Sequence, residues 1–144
     1  MTNNVGFASP PTILVVDDSL TVRRILTVYL APMRATVVEA RGAREAMAML
    51  AGAAVDLMIA DVSMPEVDGL ALVKALRAHV DARLRRLPVV LLTGSDVNRA
   101  AGLDAGANAF LNKPVSPSEL FRVIGPLLGQ ASPVAAVAAK VSMP

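Results

Sequence analysis

Short runs of apolar, β-branched residues recur along the chain, and each is followed by a segment whose apolar residues lie three or four positions apart. Short apolar runs bounded by turn residues are typical of buried strands, and the wider spacing is typical of helices packed along one face. The runs predict five strands, at residues 12–16, 36–39, 55–60, 88–92 and 109–111. The second run is the least apolar, so we expect it near an edge of the sheet.

The intervening segments carry helix start and stop signals. Ser116, Pro117 and Glu119 combine a capping hydroxyl, a first-turn proline and an acid three residues after the cap, which predicts a helix start. Gly125 and Pro126 are expected to kink or end that helix, because proline lacks a backbone N–H and clashes with the preceding turn. The other predicted helices occupy residues 20–30 after a cap at Ser19, 43–51 before Gly52, 70–79, and a stretch from a cap at Ser95 or Asp96 to about Ala105.

The alternation of strands and helices predicts the fold class. It implies right-handed crossovers and an α/β fold, a doubly wound parallel sheet with helices on both faces. Hydrophobic residues make up 54% of the 144 residues and aromatic residues only 3%, so the core must be aliphatic, which suits such a sheet. We expect one domain at residues 12–129, a flexible arm at 1–11 and a mobile Ala/Val/Pro tail at 130–144.

Composition excludes several kinds of site and partner. The chain has no cysteine, which excludes disulfides and thiolate metal sites, and its single histidine excludes a histidine-based metal cluster. The formal net charge of +2 is dispersed, so it does not indicate a nucleic-acid partner. We see no signal peptide and no apolar run of about 18 residues, so we expect a cytoplasmic protein without a membrane partner.

Polar residues follow four of the five predicted strands. Asp17 and Asp18 follow the first, Asp61 the third, Thr93 the fourth and Lys113 the fifth. In a parallel sheet of order 2-1-3-4-5 these four strands are consecutive neighbours, and their carboxyl ends share the edge where α/β sheets place their ligand sites. The second strand lies outside this group.

Three carboxylates at one edge require a countercharge, because like charges raise one another's pKa. A hard divalent cation such as Mg²⁺, which takes carboxylate, water and phosphate oxygens, meets that need. Lys113 adds a second positive charge suited to a phosphoryl group, and Thr93 adds a hydroxyl donor. Carboxylates form aspartyl-phosphates, so we hypothesise that Asp61 is a nucleophile toward a phosphoryl group.

Each of these residues also has an ordinary structural explanation. Asp17 and Asp18 could be acids favoured at a helix N-terminus, Thr93 a turn residue and Lys113 a loop lysine. Their conjunction at one sheet edge favours the functional interpretation.

The same residues lie in motifs that resemble a known family. Residues 13–19 (ILVVDDS), 61–69 (DVSMPEVDG), 92–94 (LTG) and 112–114 (NKP) are similar, in this order, to the receiver domain of two-component response regulators. The resemblance covers residues 12–128 and implies a flavodoxin-like fold. The chain looks most like a stand-alone receiver of the chemotaxis-regulator kind.

The resemblance also assigns roles to the acids. It implies that Asp61 is the phosphoacceptor, which takes a phosphoryl group from a histidine kinase or a histidine phosphotransfer protein. Asp17 and Asp18 would hold Mg²⁺ together with Asp61, and the backbone carbonyl of Ser63 would be a further ligand.

A switch is implied in the same way. Lys113 would pair with Asp61 and then with the phosphoryl group, and Thr93 would bond a phosphoryl oxygen. Phe110 matches the family's switch aromatic, although an apolar strand would also hold a phenylalanine as ordinary core. Phosphorylation would shift the face built from the fourth helix, fifth strand and fifth helix toward a partner-binding state, and the break expected at residues 125–126 would shorten this face.

The expected function is that of a phosphoacceptor signalling switch rather than an enzyme, as a monomer or a phosphorylation-dependent dimer. Because the chain ends soon after the fifth helix, we expect output through a protein target or an onward phosphoryl relay. Three alternatives stay open: a phosphorylation-independent receiver-like scaffold, a phosphatase of the haloacid-dehalogenase type, and a flavodoxin-like cofactor binder. The phosphatases space their first two acids differently, and the cofactor binders need a phosphate cradle that the first loop lacks.

Overall fold

The apolar runs form the strands of a single parallel sheet. The computed structural model describes residues 9–94 and 99–129. The strand order is β2-β1-β3-β4-β5, which confirms the predicted flavodoxin-like sheet. The strands are β1 (Thr12–Val16), β2 (Thr36–Ala40), β3 (Leu57–Asp61), β4 (Val89–Thr93) and β5 (Ala109–Asn112).

Helices cover both faces of the sheet. They are α1 (Leu20–Leu30), α2 (Ala43–Gly52), α3 (Gly69–Arg77), α4 (Arg99–Ala105) and α5 (Pro117–Leu127), with a 3₁₀ turn at Ala31–Met33 and a one-turn helix at Ala82–Arg85. Residues of α1 and α5 form one apolar core with the sheet, and residues of α2, α3 and α4 form the other. The fold is therefore doubly wound, as predicted.

The central strand β3 is buried on both faces, which explains why its sequence is almost uniformly apolar. Leu57 and Ile59 point into the core under α1 and α5, and Met58 and Ala60 point into the opposite core. All residues of β3 are buried, because a strand of a parallel sheet is covered on both faces. The strand ends in Asp61, whose carboxylate is thereby delivered to the sheet edge from a rigid element.

The edge strand and the strand limits differ slightly from prediction. β2 lies at one edge of the sheet and is partly exposed, as its weaker apolar character indicated. β3 begins at Leu57 rather than at residue 55, because Asp56 turns its backbone N–H and its carboxylate toward Thr12. α3 ends at Arg77, two residues before the predicted limit, and the N–H of Ala78 closes it on the carbonyl of Lys74.

The prediction that Gly125 and Pro126 end the last helix is wrong. Both residues lie inside α5, which ends only at Leu127. Proline so near a helix end removes a single backbone hydrogen bond, and the N–H of Leu128 still returns to the carbonyls of Ile124 and Gly125. The fifth helix is therefore not shortened by this pair.

Some predictions fall on residues outside the described ranges. These are the helix cap at Ser95 or Asp96, most of the arm (residues 1–8) and the tail (residues 130–144). At the described end of the arm, Pro11 is buried and its carbonyl accepts a hydrogen bond from the N–H of Thr36. None of the helices in the described part of the chain is long and apolar enough to cross a membrane.

Candidate functional site

Backbone hydrogen bonds between neighbouring strands hold the site residues at one edge of the sheet. The N–H of Asp17 donates to the carbonyl of Ala40, which extends the pairing of β1 with β2 by one residue. On the other side, the N–H of Lys113 donates to the carbonyl of Thr93 at 2.7 Å. Asp61 is paired in register with Leu92 of β4. The sheet therefore brings together the residues that sequence analysis placed at separate strand ends.

Three acids form a cluster at this edge. Carboxylate oxygens of Asp17, Asp18 and Asp61 all lie within 4.8 Å of one another. Asp17 and Asp61 are buried, with 1% and 5% of their surface exposed, whereas Asp18 faces solvent. An oxygen-only donor set of this kind suits a hard divalent cation, since Mg²⁺ and Ca²⁺ prefer carboxylate and carbonyl oxygens.

Lys113 supplies the countercharge within the cluster. Its Nζ lies 3.1 Å from Oδ1 of Asp61 and 3.5 Å from Oδ2 of Asp17. Partial burial of the ammonium group lowers its pKa, but the hydrogen bond to Asp61 and the charges of both acids outweigh this effect, and the pKa of Lys113 is raised. Lys113 therefore stays protonated at neutral pH and is available to an anionic group.

Asp17 is held in an environment that opposes its charge. Burial raises the pKa of its carboxyl group and the nearby charge of Asp61 raises it further, while the N–H of Ser19 and the ammonium of Lys113 act in the opposite direction. The Ser19 N–H donates to Oδ1 of Asp17 at 2.8 Å. The net effect is a raised pKa, so a cation at the cluster would favour the charged form of Asp17.

Gly69 allows the loop after β3 to close against the nucleophile candidate. A Cβ atom at this position would lie 2.5 Å from the backbone oxygen of Asp61 and 3.0 Å from Cα of Val62. The N–H of Gly69 donates to the carbonyl of Val62 at 2.8 Å, and Asp68 caps α3 directly before it. Sequence analysis used Gly69 only as part of a motif, and the structure adds the steric reason for a glycine there.

The structure places the remaining predicted residues after β3, at the end of β4 and within β5. Ser63 is exposed and its N–H lies 3.4 Å from Oδ1 of Asp61. Thr93 ends β4 and is buried. Phe110 is buried in β5 on the face covered by α2 to α4, with its ring beside Gly102 of α4.

Two residues near the acids were missed by sequence analysis. Arg23 is a buried arginine of α1 that donates from Nη1 to the backbone carbonyl of Asp17 at 2.7 Å. Its Nε donates to Oε1 of Glu39 in β2 at 2.9 Å. A signal for Arg23 was present, because it lies three and seven positions before Leu26 and Leu30, on the inward face of α1.

Known proteins are similar to this chain in sequence. The family profile of the response regulator receiver domain matches residues 13–125. The protein PetR of Rhodobacter capsulatus is 38% identical over 123 residues, which are 84% of this chain and 50% of PetR. The transcriptional regulatory protein ResD of Bacillus subtilis is 35% identical over 122 residues, 83% of this chain and 49% of ResD. The chain thus spans about half the length of these curated relatives.

Solved structures of response regulators and receiver domains are also similar to this chain. A putative response regulator from Chloroflexus aurantiacus is 35% identical with a TM-score of 0.79, and covers 84% of this chain and 99% of its own. The chemotaxis protein CheY4 of Vibrio cholerae is 30% identical with a TM-score of 0.75, over 83% of this chain and 99% of its own. The receiver domain of sensor histidine kinase PA1611 from Pseudomonas aeruginosa, 25% identical with a TM-score of 0.76 over 84% and 99%, holds a magnesium ion in its active site cleft.

The matched profile spans most of the chain and contains the acid cluster, Thr93 and Lys113. Together with the shared fold and sequence, it shows that this chain belongs to the response regulator receiver domain family.

Proposed function

We propose that Asp61 is the phosphoacceptor of a signalling switch that receives a phosphoryl group from a phosphohistidine of a histidine kinase or a histidine phosphotransfer protein. The observation that carries this proposal is the position of the Lys113 ammonium, 3.1 Å from Asp61 and 3.5 Å from Asp17. An acid at a strand end with a paired ammonium beside it combines a nucleophile with a group that stabilises phosphoryl oxygens.

In the proposed step, a carboxylate oxygen of Asp61 forms a bond to phosphorus. The bond between phosphorus and the imidazole nitrogen of the donor breaks, and its electron pair stays on that nitrogen. Lys113, which balances the charge of Asp61 beforehand, then pairs with the phosphoryl oxygens. Thr93 is the proposed hydroxyl donor to one of those oxygens.

The acid cluster fits a bound Mg²⁺ ion, because it presents oxygen donors only and leaves an excess of negative charge after Lys113 is counted. Asp17, Asp18 and Asp61 would hold the ion, with the backbone carbonyl of Ser63 as the proposed further ligand. When bound, Mg²⁺ neutralises phosphoryl oxygens during transfer. The magnesium ion in the PA1611 receiver domain supports this part of the proposal.

An apolar groove beside Lys113 is the proposed contact for the phosphoryl donor. The groove has a volume of about 360 Å³ and lies between α1 and the segment that follows β5. Its lining residues include Ile25 and Tyr29 of α1 together with Lys113 and Pro114. Leu20 and Val28 line a neighbouring groove that shares Ile25 and Tyr29, and they are 54% and 69% exposed, so exposed apolar surface continues along α1.

For output, we propose that phosphorylation changes Thr93 and Phe110 and thereby the face formed by α4, β5 and α5. That face would bind a protein target or serve an onward relay. ResD is named a transcriptional regulatory protein and CheY4 a chemotaxis protein, so the relatives support more than one kind of output. A chemotaxis role, a cytoplasmic location and a monomer or phosphorylation-dependent dimer stay predictions.

The test is intact mass spectrometry after incubation with acetyl phosphate, with Mg²⁺ or with EDTA. We expect wild type to gain the mass of one phosphoryl group only with Mg²⁺. Asp61→Asn should gain none, and Asp104→Asn, which changes an exposed acid of α4, should behave as wild type. A gain of mass by Asp61→Asn would contradict the proposal. Wild type that gains no mass with acetyl phosphate or with a histidine kinase would also contradict it, and would favour the phosphorylation-independent scaffold.

A further inference from the structure

We propose that Arg23 and Glu39 are positioning residues that fix the turn between Asp17 and Asp18 for binding a divalent cation. Edge strand β2 would then belong to the metal site through Glu39, although it supplies none of the proposed ligands. This inference rests on the proposed function, because it concerns the ion that the acid cluster would hold.

The first argument is the contact between Arg23 and the backbone of Asp17. The arginine Nη1 donates to the Asp17 carbonyl at 2.7 Å, a short hydrogen bond from a charged donor. This carbonyl belongs to the peptide that joins Asp17 to Asp18. Because a peptide is planar, anchoring its oxygen also sets the direction in which the chain enters Asp18. Asp18 is exposed, so no surrounding core holds its carboxylate in place.

The other contacts of this turn come from different sides. The N–H of Asp17 donates to Ala40, and its Oδ1 accepts from the N–H of Ser19. The Arg23 contact completes the set by holding the carbonyl. Asp17 is thus held at its N–H, its side chain and its carbonyl, and Arg23 is the side chain that reaches the carbonyl.

The second argument is the cost of placing an arginine there. Only 7% of Arg23 is exposed, and it lies on the inward face of α1 with Leu26 and Leu30. A buried guanidinium is costly unless it is paired, and an apolar residue of similar size often stabilises a fold at least as well. Packing alone therefore does not explain why an arginine is buried at position 23. Its role in orienting the turn that carries Asp17 and Asp18 does explain it.

The third argument is charge balance. Three carboxylates and one ammonium leave two negative charges at the cluster, which match a divalent cation. An unpaired Arg23 would oppose that cation. The ion pair with Glu39, at 2.9 Å, cancels its charge while keeping its hydrogen bond to Asp17.

The experiment measures the Mg²⁺ dissociation constant by calorimetry in wild type, Arg23→Met, Glu39→Gln and the double variant. Thermal unfolding in EDTA sets a temperature at which each protein is folded before Mg²⁺ is added. We expect Arg23→Met to bind Mg²⁺ roughly 10-fold more weakly or worse, as is usual when a residue that orients metal ligands is removed. Glu39→Gln should also weaken Mg²⁺ binding. The loss of binding free energy in the double variant should not exceed the sum of the losses in the two single variants.

Arg24→Met is the matched control. Arg24 is the next residue of α1 and lies 3.6 Å from Glu39, but its side chain is 69% exposed. Both arginine variants remove one positive charge that lies beside Glu39, and removing a positive charge should by itself tighten Mg²⁺ binding, not weaken it. Weakening in Arg23→Met with no weakening in Arg24→Met is therefore the signature of positioning.

The outcomes separate this inference from the proposed function. Equal or tighter Mg²⁺ binding by a folded Arg23→Met overturns the inference and leaves the acid cluster as a metal site. If Arg23→Met fails to fold, the inference is also overturned when Glu39→Gln and Arg24→Met both bind Mg²⁺ as tightly as wild type. Wild type that binds no Mg²⁺ overturns the proposed metal site and this inference with it.

Discussion

The ammonium nitrogen of Lys113 lies 3.1 Å from Oδ1 of Asp61, although the strands that deliver them are not neighbours. Asp61 ends β3, Lys113 follows β5, and β4 lies between these strands. The lysine side chain therefore reaches across the end of β4. A short side chain at position 113 could not balance the charge of Asp61.

Replacing this lysine should affect the cation and the phosphoryl group in opposite directions. Lys113→Met removes a positive charge from the cluster, so we expect Mg²⁺ to bind more tightly, on the order of 10-fold. Phosphorylation by acetyl phosphate should become slower, because the phosphoryl oxygens lose their ammonium partner. Calorimetry and intact mass spectrometry measure the two effects, with Lys74→Met, an exposed lysine of α3, as the control. Weaker Mg²⁺ binding by Lys113→Met would contradict this electrostatic account.

The raised pKa of Asp17 predicts a pH dependence of stability in the absence of metal. A group whose folded pKa is raised stabilises the fold below its unfolded pKa, near 3.8, and loses that contribution as the pH rises through the folded value. In EDTA, Asp17→Asn should therefore unfold at a higher temperature than wild type near neutral pH, by roughly a few degrees. The difference should shrink as the pH falls toward 3.8.

Thermal unfolding at several pH values, with and without Mg²⁺, checks this prediction. Added Mg²⁺ should stabilise wild type and have little effect on Asp17→Asn, which lacks a proposed ligand. An Asp17→Asn variant that is less stable than wild type in EDTA at neutral pH would show that the buried, ionised carboxyl group of Asp17 does not destabilise the fold.

Gly69 offers a steric test of the loop that follows Asp61. In Gly69→Ala, the new Cβ would lie 2.5 Å from the Asp61 backbone oxygen, so the loop or the strand end must move. We expect a loss of about 1–3 kcal/mol in the free energy of unfolding and a lower rate of phosphorylation. Gly52→Ala is the control, since a Cβ there meets no atom within 4 Å and alanine is favoured in a helix. Chemical denaturation and acetyl phosphate labelling supply the two readouts.

Gly102 offers a test of the proposed switch. A Cβ on Gly102 would lie 3.0 Å from Cζ of Phe110 and 3.3 Å from Cδ1 of Leu91. Alanine favours a helix by about 1 kcal/mol over glycine, so Gly102→Ala should keep α4 folded while pressing on the Phe110 ring. We expect the ring to spend more time away from its buried position and the rate of phosphorylation to change, because a switch couples the position of this ring to the phosphorylation site.

Aromatic NMR signals of Phe110 and the rate of acetyl phosphate labelling measure this effect. The same substitution in a Phe110→Leu background is the control, because the ring that Cβ would meet is then absent. If Gly102→Ala leaves both the Phe110 signals and the labelling rate unchanged, the ring accommodates a methyl group. The packing of α4 against Phe110 then does not control phosphorylation.

How much could be predicted from the sequence varies from residue to residue. The apolar runs predicted the five strands and the doubly wound sheet, because a parallel strand needs both faces apolar and a helix only one. The acids, Thr93 and Lys113 were found because each lies within two residues of the end of a predicted strand, which is a local signal. The four motifs, taken in order, were enough to indicate the family.

Only the tertiary structure decided the contacts that make these residues a site. The reach of Lys113 across β4 joins segments far apart in the chain. The contact of Arg23 with the Asp17 carbonyl and the close approach of Gly69 to Asp61 depend on how a helix packs back against the strand before it. Periodicity reports which face of an element is apolar, but it carries no information on which distant backbone atom a long side chain reaches. The same limit explains the error at Pro126, since the cost of a proline depends on how many hydrogen bonds of its helix lie beyond it.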